Sequence, residues 1–305
     1  MTDLKYSDAE LDALIHKYCT DFTENARNDV YDPITGRERE IKETVLILLQ
    51  KGRKNVMLQA PAGVGKTALC IGLAQDIVKD NVPDSLKGAR ILELDLAAMS
   101  AGTDSISEFQ GRIVPLLKGI SERYGNPDYP KFILFIDEIH QIMPSCEGSS
   151  YRGLSEVLKP YLTAGALSVI GATTKDEYRI YVGVDPAMDR RFQKVDLTIP
   201  SDAQTFAILQ NLAPRYTKHH GIEIDDDALR VIVHLTSHHI RKRNQPDKSI
   251  ITMDAALAWQ VMHNGQGGKL SLPNIYQIIS RETGIHADAI ALNEKEVAKL
   301  AEAED

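Results

Sequence analysis

Cysteine is scarce in this chain: Cys19, Cys70 and Cys146 form an odd, widely spaced set among 305 residues. Neither a disulfide framework nor a paired zinc motif can be built from them, and a reducing, cytoplasmic setting is expected. Long apolar runs are absent too, since no stretch approaches the roughly eighteen apolar residues that a membrane helix needs. Residues 1–10 are polar and acidic rather than basic and then apolar, so neither an export signal nor membrane insertion is expected. Positive charge is in deficit. With 35 Lys and Arg against 43 Asp and Glu, the formal net charge is −8, which disfavours a sequence-blind grip on nucleic acid. The short basic run Arg241-Lys242-Arg243 leaves nucleic acid possible without indicating it. No Ser-His-Asp arrangement suggests proteolysis. His234 and His238 lie four apart on one helical pattern, but no carboxylate or Cys completes a metal set beside them.

What the chain does have is a phosphate-gripping loop. Ala60-Pro61-Ala62-Gly63-Val64-Gly65-Lys66-Thr67 follows the strand-like Asn55-Val56-Met57-Leu58 and opens into a helical pattern at Ala68. Backbone N–H groups curl around phosphate oxygens where glycines bring the main chain close, and a helix N-terminus behind them adds partial positive charge. Lys66 reaches the β- and γ-phosphates, and Thr67 offers its hydroxyl to Mg²⁺. A nucleoside triphosphate is the expected ligand. The loop begins with Ala60 where the usual pattern has Gly, and a methyl group is the smallest intrusion possible.

Strand patterns at 55–58, 90–94, 132–136 and 167–171 alternate with helical ones at 67–79, 108–123 and 154–163, which predicts a parallel sheet wrapped by helices. Ahead of them, Ser7 and Glu10 form a capping box before an apolar helical face at Leu11, Leu14, Ile15 and Tyr18. A helix over 40–51 follows the turn Asp32-Pro33-Ile34-Thr35-Gly36. Beyond Pro200 the character changes, and helical patterns at 203–219, 226–239, 249–263 and 273–281 have no convincing strand between them. The expected organisation is an N-terminal helical segment over 1–30, an α/β nucleotide-binding domain over 31–200, an all-helical domain over 201–292 and a charged tail over 293–305.

Phe132-Ile133-Leu134-Phe135-Ile136 is a fully apolar strand that runs directly into Asp137-Glu138. Ligands of open α/β sheets sit at that carboxyl edge. Asp137 can join the Mg²⁺ shell there, while Glu138 can orient and deprotonate an attacking water. Another apolar strand ends in Thr173-Thr174, where a hydroxyl could report the γ-phosphate or simply leave the sheet. Arg190 and Arg191 share a short helical turn. By spacing alone they are surface arginines or donors to a transferring phosphoryl group, a role worth roughly 10³ to 10⁵ in rate.

Together these residues resemble the AAA+ ATPases, and within them the first ATPase module of the Clp unfoldases and disaggregases (ClpA, ClpB, ClpC). The likeness runs from about Tyr18 to Leu300. It includes Asp32-Pro33-Ile34-Thr35-Gly36-Arg37, Gly72-Leu73-Ala74-Gln75, Phe135-Ile136-Asp137-Glu138-Ile139-His140, Asp176-Glu177-Tyr178-Arg179, Arg190-Arg191-Phe192 and Pro246-Asp247-Lys248. The resemblance implies a three-layer P-loop domain followed by a helical lid, and Mg²⁺-dependent hydrolysis of ATP. It also implies Thr174 as a sensor of nucleotide, and Arg190 and Arg191 acting on a neighbouring subunit in a homo-hexameric ring. Pro33, Ile34 and Thr35 would wall the adenine, and Pro246 and Lys248 would face the nucleotide from the lid.

Departures from the family accompany the matches. Where these unfoldases carry an aromatic ring that grips a threading polypeptide, the chain has Asp104-Ser105-Ile106-Ser107, and Ser105 offers almost no contact area. A second pore segment over 144–153 has Tyr151 as its only ring, and Glu156 stands in place of an expected Asn. No substrate-adaptor domain precedes the module and no second module follows, so a single-ring relative is expected. The leading expectation is an ATP-driven remodeller of a protein or macromolecular complex with a dedicated client. The alternative is an accessory ATPase on a nucleoprotein, secretion or conjugation assembly that does not thread polypeptide. A scaffold without turnover is argued against by Glu138, Thr174 and both arginines.

Overall fold

A computed structural model describes residues 4–103 and 106–292 of the chain. The expected pore-loop departure at Asp104 and Ser105 and the expected tail over 293–305 lie outside the described residues. The chain divides into two compact units, Met1–Pro61 with Lys66–Leu197, and Ala62–Gly65 with Thr198–Asp305.

The first unit is built on a six-stranded sheet. Its elements are α1 (Asp8–Tyr18), β1 (Cys19–Asp21), α2 (Phe22–Arg27), α3 (Glu38–Leu48), β2 (Asn55–Gln59), α4 (Lys66–Val78), β3 (Arg90–Leu94), α5 (Leu96–Ser100) and α6 (Ile106–Glu122). They continue through β4 (Phe132–Ile136), α7 (Leu154–Ala164), β5 (Ser168–Thr173), α8 (Lys175–Glu177), α9 (Pro186–Asp189) and β6 (Phe192–Asp196). The strand order is β1-β3-β4-β5-β2-β6. Every neighbouring pair is parallel except β1 with β3, where Thr20 opposes Glu93 in antiparallel register.

The central strands β2, β4 and β5 are buried at every position, as expected for parallel strands covered on both faces. One face carries Leu92, Leu134, Ile136, Val169 and Met57 into a core shared with α1, α6 and α7. On β4, Phe135 instead meets Phe22 of α2, with ring centroids 5.7 Å apart.

Two strands escape the periodicity of the sequence. At three residues β1 is too short to carry a pattern, and it exists because β3 offers it an edge. β6, buried at Phe192 and Val195, closes the opposite edge beside β2. The sheet is thus mostly rather than wholly parallel. The helix expected over 40–51 is α3, which begins and ends earlier, at Glu38 and Leu48.

The second unit contains α10 (Asp202–His220), α11 (Asp226–His239), α12 (Asp247–Asn264) and α13 (Leu272–Thr283). Leu209, Ile232, Leu257 and Ile275 are among the residues of its separate core. Ser201 and Gln204 cap α10 reciprocally, and Asp225 caps α11. Its only strand-like pairing among the described residues is an isolated bridge between Glu223 and Lys269.

Arg123, just beyond α6, ties α1 into the first unit. Its buried guanidinium donates to Asp8, to the Tyr6 carbonyl at 2.9 Å and to the Gly119 carbonyl at 2.9 Å. Replacing it leaves two carbonyls without their donor. Arg123→Met is expected to cost about 2–3 kcal/mol of stability, read as a lower denaturant midpoint with little change in slope.

Candidate functional site

The loop between β2 and α4 starts from a fixed point, because the Ala60 N–H donates to the Thr173 carbonyl on β5 at 3.2 Å. Ala60 is fully buried, so the methyl group that replaces the usual hydrogen is packed into the fold. Gly63 and Gly65 have φ of 75° and 102°, in the left-handed region that a side chain makes costly. Val64 is buried, and Ala62 and Gly63 remain exposed. Lys66 opens α4 with Ala68 two residues on, and its ammonium, on a side chain only 8% exposed, donates to the Ala60 carbonyl at 3.2 Å. A buried lysine with one main-chain acceptor is a cation that an anionic ligand would complete.

The carboxylate edge lies alongside. Thr67 Oγ1 donates to Asp137 Oδ2 at 3.2 Å, and the Glu138 N–H donates to Asp137 Oδ1 at 2.9 Å. A hydroxyl and a carboxylate side by side are the hard-oxygen donors that Mg²⁺ accepts, so these residues fit that ion. Glu138 has φ 47° and ψ 45°. For a residue with a side chain this left-handed turn costs about 1–2 kcal/mol, and the next residue, Ile139, is fully buried. Gly171 on β5 makes room for it, because a Cβ there would lie 2.5 Å from Ile139 Cδ1. Burial raises the Glu138 carboxyl above its usual range, with Glu177 and Asp137 adding repulsion against Lys66 and His140.

Thr173 and Thr174 follow at the end of β5. Thr174 caps α8, donating from its hydroxyl to Glu177 Oε2 at 2.8 Å and accepting from the Glu177 N–H at 3.2 Å. Buried Thr173 also donates to Glu177 Oε2, at 3.1 Å. Burial works against ionisation of Glu177, yet the Thr174 N–H and hydroxyl, with His140 and Thr173, hold its carboxyl below the usual range.

The segment expected to wall the base is held by α4. Ile34 packs against Gly72, where a Cβ would lie 3.1 Å from Ile34 Cγ2. Gln75 accepts from the Ile34 N–H at 3.2 Å and donates to the Asp32 carbonyl at 2.8 Å, fixing the segment that carries Pro33 and Thr35. The buried Thr35 hydroxyl has no hydrogen-bond partner among the described residues.

The two arginines differ. Arg190 ends α9 and is exposed, whereas Arg191 donates to the Ala187 carbonyl and to Thr163 Oγ1 on α7. In the second unit Pro246 precedes α12, and Lys248 spends one donor on the Ile240 carbonyl at 3.0 Å while burial lowers its ammonium pKa. Tyr151 is not free, since its ring packs on Phe109 with centroids 6.4 Å apart.

Sequence reasoning assigned no role to His140, Glu177 or Glu93. The first two lay inside the motif blocks, and their roles depend on contacts across 33 to 39 residues of chain. Glu93 of β3 is half-buried. Burial, then Asp137 and Asp95, raise its carboxyl to about 7 from 4.5. The folded state therefore holds a proton there that the unfolded chain releases, and stability falls as pH rises from 4.5 through about 7. Glu93→Gln is expected to raise the denaturant midpoint at pH 8 and to leave it nearly unchanged at pH 4, where the carboxyl is protonated in both states.

With this geometry in view, comparison with known proteins identifies the class. Residues 56–198 match the model of the ATPase family associated with various cellular activities (AAA), and residues 201–304 match that of the AAA lid domain. The chain belongs to the AAA ATPases, with a nucleotide-binding P-loop domain and a helical lid. Within that class it is similar to Clp-type chaperones. It is 40% identical over 247 residues to the chaperone protein ClpB of Vibrio vulnificus, covering 81% of this chain and 28% of that protein. To ClpB of Dichelobacter nodosus it is 44% identical over 244 residues, covering 80% and 28%. The structure superposes on Saccharomyces cerevisiae Hsp104 in an extended complex with casein, with TM-score 0.79, 38% identity and coverage of 89% of this chain and 46% of that one. The chain therefore spans less than a third of its curated relatives and about half of Hsp104. Among the described residues no helix is long and apolar enough to cross a membrane.

Proposed function

We propose that this chain hydrolyses ATP in a ring, of six subunits by family analogy, and uses the cycle to remodel a protein client. The observation that carries the reading is the meeting at one sheet edge of buried Lys66, the Thr67–Asp137 hydrogen bond and Glu138, in a chain of AAA type. The ClpB relatives, chaperones by name, favour a protein client over a nucleoprotein assembly.

In this reading the N–H groups of Ala62 to Ala68 and the Lys66 ammonium bind the phosphates, Pro33, Ile34 and Thr35 wall the base, and Pro246 and Lys248 are the lid residues that the family resemblance assigns to the nucleotide. Thr67 and Asp137 would hold Mg²⁺, which neutralises phosphate charge when bound. Glu138 orients the attacking water and takes its proton, a role that its raised pKa serves. Thr174 reports the nucleotide state. Arg190, exposed, is the arginine that reaches a neighbouring subunit's nucleotide, and Arg191 braces α9 against α7 so that Arg190 is presented.

Steady-state ATPase and nucleotide binding at ring-forming concentration test this. Lys66→Ala is expected to lose binding. Glu138→Gln should keep binding and lose roughly 10²- to 10⁴-fold in turnover. Arg190→Ala should lose roughly 10³-fold or more, and mixing it with Lys66→Ala subunits should restore activity. Turnover unaffected by Glu138→Gln or Arg190→Ala sinks the catalytic assignment, and no recovery in mixed rings counts against action between subunits.

A further inference from the structure

His140 follows Glu138 on the short turn after β4, and its side chain is only 10% exposed. One of its nitrogens, Nδ1, faces three oxygens: Thr173 Oγ1 at 3.1 Å, Glu138 Oε2 at 3.4 Å and Glu177 Oε2 at 3.5 Å. The Thr173 hydroxyl donates its own hydrogen to Glu177 Oε2, so each of the three presents a lone pair to the ring. Nδ1 therefore carries the proton and donates it to Thr173 Oγ1, the nearest of the three, while the two carboxylate oxygens lie within electrostatic contact of it. The ring cannot swing away freely, because it stacks on Tyr181 with centroids 5.7 Å apart and planes 26° from parallel.

Glu177 Oε2 is the common acceptor of this cluster. It takes the Thr174 N–H at 3.0 Å, the Thr174 hydroxyl at 2.8 Å and the Thr173 hydroxyl. A displacement of Thr174 moves that oxygen, and His140 is the group that spans from it to Glu138. Among the described residues, His140 is the only ion-pair partner of the Glu138 carboxylate, at 3.4 Å. Unheld, a carboxylate on a left-handed turn with a 42% exposed side chain has several rotamers available to it.

We propose that His140 is a positioning residue that holds the Glu138 carboxylate through the 3.4 Å electrostatic contact at Nδ1 and couples it, by way of Thr173 and Glu177, to the nucleotide-reporting end of β5 at Thr173 and Thr174. The inference rests on the assignment of Glu138 as the group that activates water. His140 touches neither nucleotide nor water; it sets where Glu138 points and makes that direction depend on Thr174. A group held by such an outer contact commonly loses about 10- to 100-fold in activity when the contact is removed.

The test is ATPase kinetics on the assembled protein for wild type, Glu138→Gln, His140→Ala, His140→Asn, Glu177→Gln and the His140→Ala/Glu177→Gln double variant, with thermal midpoints measured in parallel. In asparagine, Nδ2 occupies nearly the place of imidazole Nδ1 and keeps one donor there. His140→Ala is expected to lower kcat about 10- to 100-fold with KM for ATP changed by less than about threefold. His140→Asn should recover most of that loss, and the double variant should be no slower than the slower single one, since both break one chain of contacts. Wild-type kcat in His140→Ala overturns the inference. So does a loss that His140→Asn fails to recover, because packing alone would then explain it, or losses that multiply in the double variant. If His140→Ala does not fold, His140→Asn with Glu177→Gln decides, and equal kcat to wild type in both overturns it. An inactive Glu138→Gln beside an active wild type keeps the parent reading standing whatever His140 does. An active Glu138→Gln removes the parent reading instead.

Discussion

The position of β5 between β2 and β4 is the constraint on which the site depends. The phosphate loop leaves β2, the acidic pair leaves β4, and the strand between them carries Thr173 and Thr174 out at the same edge. That strand also performs two local tasks. Its last carbonyl takes the Ala60 N–H and so fixes where the loop begins, and Gly171 leaves the space that Ile139 fills beneath the turn at Glu138. A side chain at Gly171 or a slip in register would displace the acidic turn and the loop together, because both are registered on the same strand.

The acidic edge is electrostatically crowded. Burial first, and then repulsion, raises two of its carboxyls: Glu93 beside Asp137 and Asp95, and Glu138 beside Glu177 and Asp137. Glu177 is the exception, held low by the two threonines and His140. Burial thus sets the direction at Glu93 and Glu138, and hydrogen bonding outweighs it at Glu177. Lys66 is the buried cation of the same edge, and its single main-chain contact leaves donors to spare for phosphate.

Much of this was legible in the sequence where the pattern is local. The central strands and the helices beside them fall close to where apolar runs and caps put them, since complete burial makes β4 an unbroken apolar segment and gives β2 and β5 apolar centres at 56–58 and 169–172. β1 was not legible, because three residues have no period and the strand forms only against β3. β6 was not legible either, because its buried residues Phe192 and Val195 lie three apart and carry no two-residue alternation. Arg190 and Arg191, equivalent by spacing, separate only when Ala187 and Thr163 are seen to hold the second.

The sequence by itself determined the class of chemistry. A glycine-bearing loop ending in Lys66 and Thr67 and an apolar strand ending in Asp137 and Glu138 need those residue types at those spacings whatever surrounds them. Tertiary structure decided what each group faces: the sheet order that sets the two motifs side by side, the half-buried place of Glu93, and the convergence of His140, Thr173 and Thr174 on the Glu177 carboxylate. Those outcomes depend on contacts between residues far apart in the chain, and a linear pattern carries spacing along the backbone but not the pairing of strands across a sheet.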